Sequence, residues 1–231
     1  ALDPQGDLWV ADGGNDRVVE FVPPFHTGMA ATVAIGQTSL AAAAPGSGAD
    51  GMGGPGGIGF GSGDLWVTDP THDRVLGFAP PFATGEAAAV VLGQSGPNGS
   101  APGTSATNLS APSAVAASPN GTLWVVDTGN DRLLAFPAPV RTGEAAAVVL
   151  GAATATAAPT GQIAAPRGIA IDPQGNVWLA DAGGNRTLEF VGPTLSNGSA
   201  PTVALGQGSV TDHAAGSGPY GETAPDAVAS G

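Results

Sequence analysis

Hydrophobic and polar residues follow the same pattern in four stretches of the chain, each of which begins at a tryptophan and ends at a phenylalanine. The stretches read WVADGGNDRVVEF, WVTDPTHDRVLGF, WVVDTGNDRLLAF and WLADAGGNRTLEF. In each of them an apolar run, a cluster rich in Gly, Asn and Asp, and a second apolar run follow one another, which predicts two short β-strands joined by a hairpin loop. The copies begin 57, 58 and 54 residues apart, and such a period indicates a repeat architecture.

Four positions of the stretch keep their residue type in every copy. They are the tryptophans Trp9, Trp66, Trp124 and Trp178, the aspartates Asp12, Asp69, Asp127 and Asp181, the arginines Arg17, Arg74, Arg132 and Arg186, and the phenylalanines Phe21, Phe78, Phe136 and Phe190. A residue that recurs with the period of the fold is expected to serve the fold, so we predict that the Asp and Arg are structural latches and that the aromatic residues pack in the core or between units. The alternatives are an anion or carbohydrate site at the Asp–Arg pair and an aromatic platform for a ligand.

Two further strands are predicted in each unit. One follows a proline and covers residues 57–60, 114–117, 168–171 and 227–230; the other ends at a glycine, which is Gly36, Gly93, Gly151 or Gly206. No helix is predicted, because the alanine-rich runs are short and lack caps. Four-stranded antiparallel units that repeat without helices are typical of a β-propeller.

The sequence therefore predicts a single all-β domain, 1–231, with four blades at about 1–54, 55–111, 112–165 and 166–224. Residues 225–231 repeat residues 166–172, and residues 1–3 align with residues 170–172. We expect the C-terminal strand to complete the first blade and to close the ring, which would hide two sheet edges. The alternative is a slice of a longer array of blades.

Composition and charge restrict the function. The chain has 38 Gly, 21 Pro and 42% hydrophobic residues, which suits a β protein dense in turns. Its net charge is −13 and all six basic residues are arginines, so nucleic acid is excluded as a partner because phosphate neutralisation needs clustered cations. It has no Cys for disulfides and no apolar run as long as a membrane span.

The four copies resemble the NHL repeat family of β-propellers, whose consensus is approximately P-x-G-(apolar)-A-(apolar)-D-x-x-G-N-(apolar)-(apolar)-V-A-D-T-G-N-N-R-(apolar)-x-x-F. Residues 166–190 match it nearly throughout, and TGEAAAVVLG at residues 84–93 and 142–151 looks like the tail of a long, roughly 57-residue variant from predicted secreted bacterial proteins. The resemblance implies the propeller fold, although members of the family more often have six blades. It implies less about activity, because this fold hosts binding scaffolds as well as enzymes.

Related propeller lyases and lactonases hold metal ions with histidine or acidic residues at the mouth of the central channel. The three histidines here, His26, His72 and His213, stand in three different types of loop, and the inner strands offer acidic groups only at Asp3, Asp172 and Asp226. We therefore predict no catalytic residue, no cofactor and no metal ligand. A turn position shared by Asp7, Asp64, Thr122 and Asn176 could hold a hard cation weakly.

These observations favour a secreted or cell-surface scaffold without catalytic activity, whose protein or glycan partner is not identified. The chain begins without Met or a signal peptide, which would fit a processed extracellular product. A sharper hypothesis concerns the candidate assembly strand formed by Asp226, Ala227, Val228, Ala229 and Ser230. If it completes the first blade of a neighbouring molecule, it would produce a homo-oligomer or a filament by strand addition. The alternative function is a propeller lyase or lactonase that acts at the channel mouth.

Overall fold

The computed structural model describes residues 1–152, 162–192, 194–216 and 221–228, and over these ranges the chain forms fifteen β-strands. Blade 1 contains β1 (Leu8–Asp12), β2 (Arg17–Phe21) and β3 (Val33–Ile35); blade 2 contains β4 (Ile58–Gly61), β5 (Asp64–Asp69), β6 (Arg74–Phe78) and β7 (Val90–Leu92); blade 3 contains β8 (Pro112–Ala117), β9 (Leu123–Asp127), β10 (Arg132–Phe136) and β11 (Val148–Leu150); blade 4 contains β12 (Pro166–Ile171), β13 (Val177–Asp181), β14 (Arg186–Phe190) and β15 (Val203–Leu205). In each blade, consecutive strands pair antiparallel. The predicted all-β, four-bladed propeller is confirmed.

The hairpin loop in the middle of each blade is a single 3-10 turn, a detail that the sequence pattern did not predict. The turns are Gly13–Asn15, Pro70–His72, Thr128–Asn130 and Ala182–Gly184. The residue after each turn has a left-handed backbone, with φ between 50° and 52° at Asp16, Asp73, Asp131 and Asn185. Asp and Asn tolerate this conformation better than other side chains with a Cβ, which explains why every copy has one of them before its arginine.

The blades pack on each other face to face and form three apolar cores. Between blades 1 and 2, Trp9 and Ile35 pack with Leu65, Val67 and Phe78, all with no solvent exposure. Equivalent residues form the cores between blades 2 and 3 and between blades 3 and 4. Since every blade uses one face for the blade before it and the other for the blade after it, the repeated pattern builds the core of the whole domain.

The structure differs from the prediction in how the inner edge of blade 1 is covered. The sheet of blade 1 has three strands, and residues 226–228 form no strand. Ala1 exchanges two backbone hydrogen bonds with Trp9, at 3.0 and 2.9 Å, and Leu2 bridges to Leu8. The N-terminus therefore occupies part of the place that the C-terminal strand was expected to fill.

Residues 226–228 lie instead beside the inner strand of blade 4. A Cβ atom added to Gly168 of β12 would stand 2.7 Å from the carbonyl oxygen of Asp226 and 2.8 Å from the Cα of Ala227. Gly57 of blade 2 approaches Ser113 and Ala114 of blade 3 in the same way, so the C-terminal segment continues the ring of inner strands. The last two residues of the candidate assembly strand, Ala229 and Ser230, are outside the described residues.

Among the residues that the structure describes, no helix has the length and apolarity that a membrane crossing requires.

Candidate functional site at the channel mouth

Among the described residues, the side chains that line the wall of the central channel are apolar. This wall is formed by the inner strands β4, β8 and β12 and by the C-terminal segment, which contribute Ile58, Val115, Ile169 and Val228. Such a wall offers no acid, base or nucleophile. Polar chemistry is therefore restricted to the two mouths of the channel, where the inner strands begin and end.

At one mouth, the residue that follows the blade's proline differs in every copy. These residues are Gly56, Ser113, Arg167 and Asp226, and the segments that contain them are neighbours around the channel. The Nε of Arg167 lies 3.4 Å from Oδ1 of Asp226, and their side chains are 60% and 77% exposed. The mouth therefore presents a hydroxyl, a guanidinium and a carboxylate to solvent.

A pair of hydroxyl groups holds the backbone that carries Arg167. The Oγ of Ser113 donates a hydrogen bond to the carbonyl oxygen of Arg167 at 2.9 Å. The Oγ1 of Thr128 lies 2.7 Å from Ser113 Oγ and 2.7 Å from the carbonyl oxygen of Pro166. These contacts tie blade 3 to the backbone of Pro166 and Arg167, the first two residues of β12.

This arrangement has the groups needed to bind and polarise a carbonyl or carboxylate substrate. A guanidinium binds carboxylate oxygens in a bidentate manner, and a nearby solvated carboxylate can take up a proton. Ser113 has no base beside it, and its hydroxyl is already hydrogen-bonded to backbone, so it is a positioning group and not a nucleophile.

The opposite mouth uses its acidic residues for turns. Asp172 accepts hydrogen bonds from the backbone amides of Gln174 and Asn176, and its second oxygen faces Trp178 Nε1 at 3.4 Å. Asp3 is bound in the same way, with Trp9 Nε1 at 3.2 Å. Desolvation raises the pKa of the Asp172 carboxyl, but hydrogen bonds outweigh it and leave that pKa below its usual value. These two carboxylates are committed to the fold.

The recurring Asp–Arg pairs lie at the hairpin loops, and in blades 2, 3 and 4 they connect the blade to the preceding one. In blade 2, Arg74 Nε donates to Asp69 at 2.8 Å, while its two other nitrogens donate to the carbonyl oxygens of Ser47, Gly48 and Gly51 in the long loop of blade 1. Arg132 and Arg186 make corresponding contacts with the loops of blades 2 and 3. We call this arrangement the latch.

The aspartate of each latch also binds the preceding loop. Asp69 accepts a hydrogen bond from the amide of Gly53 at 3.0 Å, Asp127 from Ser110 at 2.7 Å and Asp181 from Ala164 at 2.6 Å. In these three latches the Asp is fully buried and the Arg side chain is at most 2% exposed, and burial raises the pKa of Asp127 and Asp181. A soluble anion or sugar has no access to groups at this depth.

The latch of blade 1 differs because within residues 1–231 no preceding blade covers it. The side chains of Asp12 and Arg17 are 28% and 19% exposed, although Nε and Oδ2 are still 2.8 Å apart. Hydrogen bonds from Asn15 and Arg17 lower the pKa of the Asp12 carboxyl, whereas burial raises the pKa of Asp127 and of Asp181.

The recurring aromatic residues are buried between the blades except at the end blades, where Phe21 and Trp178 are partly exposed. Trp9, Trp66 and Trp124 are between 0 and 6% exposed, and Trp9 meets Phe82 edge to face with 4.9 Å between ring centroids. A groove beside Trp124, between blades 3 and 4, is lined mostly by apolar residues such as Val148 and Leu195, with Asn120 among its few polar residues.

The three histidines take part in separate loops. His26 Nδ1 is 3.2 Å from the carbonyl oxygen of Thr27, His72 Nδ1 is 2.9 Å from the latch residue Asp69, and the carbonyl oxygen of His213 accepts from Asn185. His72 thus takes the place that Asn15 and Asn130 have in the latches of blades 1 and 3.

Within the described ranges, a single group of acidic side chains is close enough to share a cation. Asp3, Asp7 and Glu20 bring one oxygen each within 4.8 Å of one another on blade 1. Asp7 belongs to the turn position at which the sequence indicated weak cation binding. Both oxygens of Asp3 are hydrogen-bonded to the turn and to Trp9.

Sequence reasoning singled out Asp226 as an inner-strand acid and missed Ser113 and Arg167. A signal was available, because aligning the four copies at the proline places these residues in one column. The predicted inner strands begin one residue after this column, at residues 57, 114, 168 and 227, so Ser113 and Arg167 were not considered as residues of the channel mouth.

No protein-family model and no curated protein sequence matches the chain. Solved structures do match. The putative 6-phosphogluconolactonase of Bacteroides uniformis superposes with a TM-score of 0.56 at 17% identity, over 87% of this chain and 52% of that one. The periplasmic gluconolactonase of Pseudomonas aeruginosa gives 0.52 at 18% identity, over 88% and 55%, and the virginiamycin B lyase of Staphylococcus aureus gives 0.51 at 14%, over 83% and 51%.

The chain has a β-propeller fold. It spans about half the length of the enzymes that it matches. At these identities the likeness establishes the fold, and it does not establish the NHL family that the repeats resemble.

The comparisons correct the function expected from the sequence. The similar structures are named as a lyase and lactonases, which favours the alternative over the non-catalytic scaffold. The sequence argument failed because it looked for a histidine-ligated centre. The groups that meet at the channel mouth are an arginine, an aspartate and a serine.

Proposed function

We propose that this chain carries the active site of a propeller lyase or lactonase at the channel mouth formed by Ser113, Arg167 and Asp226. The observation that carries the proposal is the solvent-exposed Arg167–Asp226 pair, with its atoms 3.4 Å apart, at the mouth of an otherwise apolar channel. The propeller enzymes that match the fold support the reaction class. A substrate with a cyclic ester or a carboxylate next to the bond to be broken suits these groups.

Each side chain has a separate role in this proposal. Arg167 binds the carbonyl oxygen and neutralises the negative charge that develops on it. In a lactonase, Asp226 takes a proton from the water that attacks the carbonyl carbon and returns it to the ring oxygen as the acyl C–O bond breaks. In a lyase, it takes the proton from the carbon next to the carbonyl, and the electron pair forms a C=C bond as the leaving group departs from the neighbouring carbon. Ser113 and Thr128 position Arg167 through its backbone.

The donor set at this mouth does not fit a resident metal ion. Asp226 is its one carboxylate, and the histidines among the described residues belong to other loops. A bound metal needs several such ligands, so no step of the reaction is assigned to one.

Hydrolysis or elimination assays on a panel of sugar lactones and cyclic ester peptides would test the proposal. Arg167→Gln and Asp226→Asn are each expected to lower kcat/KM by about 100-fold or more, since charge stabilisation and proton transfer each contribute at least that much. Arg141→Gln is the matched control, because this arginine is exposed on the connection between β10 and β11. Lack of turnover over the whole panel, or equal activity of all variants, would refute the proposal.

Two finer assignments accompany this function. We propose that the repeats are a long variant of the NHL repeat, which the consensus match at residues 166–190 supports. We also propose that the protein acts outside the cytoplasm, for which its acidic, lysine-free composition is the supporting observation.

A further inference from the structure

The two end blades each expose one half of the interface that joins the blades inside the chain. Each internal junction has two parts: an apolar core, and a latch in which the following blade's Asp and Arg bind the preceding blade's loop. Three junctions are complete. The face of blade 1 turned away from blade 2 and the face of blade 4 turned away from blade 3 are the remaining halves.

Blade 1 presents an apolar face that has the same residues as the buried faces of the other blades. Val10 is 38% exposed, whereas its equivalents Val67, Val125 and Leu179 have no exposure at all. Phe25 is 52% exposed, and it occupies the position of Phe82, which packs on the tryptophan of the preceding blade. This face is built to receive a tryptophan-bearing blade.

The latch of blade 1 is half formed. Arg17 donates to Asp12 and, through Nη1, to the carbonyl oxygen of Leu40 in its own blade. Arg74 makes the equivalent hydrogen bonds to Asp69 and to the carbonyl oxygen of Pro97. It also donates hydrogen bonds to three carbonyl oxygens in the loop of the preceding blade. Within the described ranges Arg17 has no such partners, and Asp12 accepts no backbone amide.

Blade 4 presents the complementary half. Its Leu205 is 47% exposed, while the equivalent Ile35, Leu92 and Leu150 are fully buried. Its loop closes as the loop of blade 1 does, with a backbone bond from Gly216 to Glu222 in place of the bond from Gly46 to Met52. Gly221 is therefore the equivalent of Gly51, whose carbonyl oxygen accepts a hydrogen bond from Arg74. Thr223 is the equivalent of Gly53, whose amide donates to Asp69.

Two positions on the blade 4 face are more polar than their counterparts. Thr187 and Glu222 replace Val18 and Met52, both fully buried, and Thr187 donates to Glu222 Oε2 at 3.0 Å. Covering this pair with an apolar surface removes the carboxylate from water, which opposes docking. A contact made through this face is weaker than the internal junctions.

We propose that the open face of blade 4 docks on the open face of blade 1 of a second copy, and that two copies close one ring. The second copy is the occupant because one chain holds both halves of a single recurring junction, so the two faces match by construction. The curvature of the row of blades supports closure by two copies. Since 87% of this chain superposes on 52% of a larger propeller, one copy corresponds to about half of such a ring.

The oligomeric state of the 231-residue chain tests the proposal independently of any activity. Light scattering after size exclusion, or sedimentation, is expected to show twice the chain mass of 22.2 kDa and dissociation on dilution. A monomer at every concentration up to about 100 µM would overturn the proposal, because it would show that the two open faces do not bind each other. A mass that increases steadily with protein concentration beyond that of a dimer would also overturn the proposal, because it would indicate an open chain of copies and not a closed ring.

Three variants identify the surface. Val10→Asp is expected to weaken dimerisation by more than about tenfold, because it places a charge in the centre of the contact. Val22→Asp is the matched control: Val22 is 40% exposed in the same blade, and its equivalent Pro137 faces the following blade. Glu222→Met, which restores the residue of blade 1, is expected to tighten the dimer by about tenfold or more.

Equal effects of the two valine variants would overturn the assignment of the surface, as would a Glu222→Met dimer that is no tighter than the wild type. Far-ultraviolet circular dichroism of each variant verifies that its blades are folded. Val10 is partly exposed in the monomer, so the folded monomer of Val10→Asp is expected to be as stable as that of Val22→Asp.

Discussion

Replacing Arg74 by methionine tests whether a latch stabilises the propeller. The guanidinium is fully buried, pairs with the fully buried Asp69, and donates to four loop carbonyl oxygens on two blades. Methionine fills most of the volume but leaves the Asp69 carboxylate and those carbonyl groups without their donor. Removing one partner of a buried ion pair costs about 3–5 kcal/mol of unfolding free energy.

The matched control is Arg17→Met. The same residue pairs with the same type of partner at 2.8 Å, yet the two side chains are 19% and 28% exposed. Water screens this pair and solvates the aspartate that remains, so the expected loss is about 0–1 kcal/mol. The contrast between the two variants isolates the contribution of burial from that of the contact itself.

Urea unfolding followed by tryptophan fluorescence measures both losses, at protein concentrations low enough to keep the chain monomeric. In a thermal scan the Arg74→Met loss corresponds to a fall in Tm of roughly 6–20 °C for a chain of this size. Adding Asp69→Asn to Arg74→Met is expected to recover part of the loss, because it removes the uncompensated charge. Equal losses in the two single variants, or a loss below about 1 kcal/mol in Arg74→Met, would refute the reasoning.

Two further predictions concern backbone strain and pH. Gly93→Ala is expected to be far more destabilising than Gly6→Ala in urea unfolding. The backbone strain is the same, since φ is +87° at Gly93 and +88° at Gly6. However, a Cβ at Gly93 would stand 2.7 Å from the carbonyl oxygen of Asp73, whereas nothing lies within 4 Å of a Cβ at Gly6. Similar losses would contradict this. Because the folded pKa of Asp172 is lowered, its contribution is present above the unfolded pKa of about 3.9 and is lost as the pH falls through the folded value. Stability should therefore fall less steeply below about pH 4 in Asp172→Asn than in the wild type, and identical acid dependence would count against the Asp172 turn.

The repeated strands and loops were predictable because their signals are local. Alternation of apolar and polar residues, the Gly- and Asn-rich cluster and the period of the tryptophans predicted the four blades without reference to any distant residue. The 3-10 turns were missed, although the Asp or Asn before each arginine is the residue type that their left-handed position requires. Local chemistry was therefore sufficient, and our interpretation of it was incomplete.

The candidate site was not predictable in the same way. Arg167 and Asp226 are far apart in the chain, and each stands at the start of an inner segment that reads as apolar. They meet because neighbouring inner strands place the residue after the proline at the same mouth. A site whose residues come from different blades cannot be found by inspecting the sequence of one blade at a time.

The recurring Asp–Arg stretch shows where the sequence stops being informative. The sequence by itself determined that each copy forms a hairpin with its Asp and Arg side by side, because strand register and turn chemistry are encoded within thirteen residues. Only the tertiary structure decided that the Arg74 side chain is fully buried while that of Arg17 is 19% exposed, although their motifs are nearly the same. The physical reason is that burial belongs to the neighbouring blade, and blade 1 has no neighbour on that side within the chain.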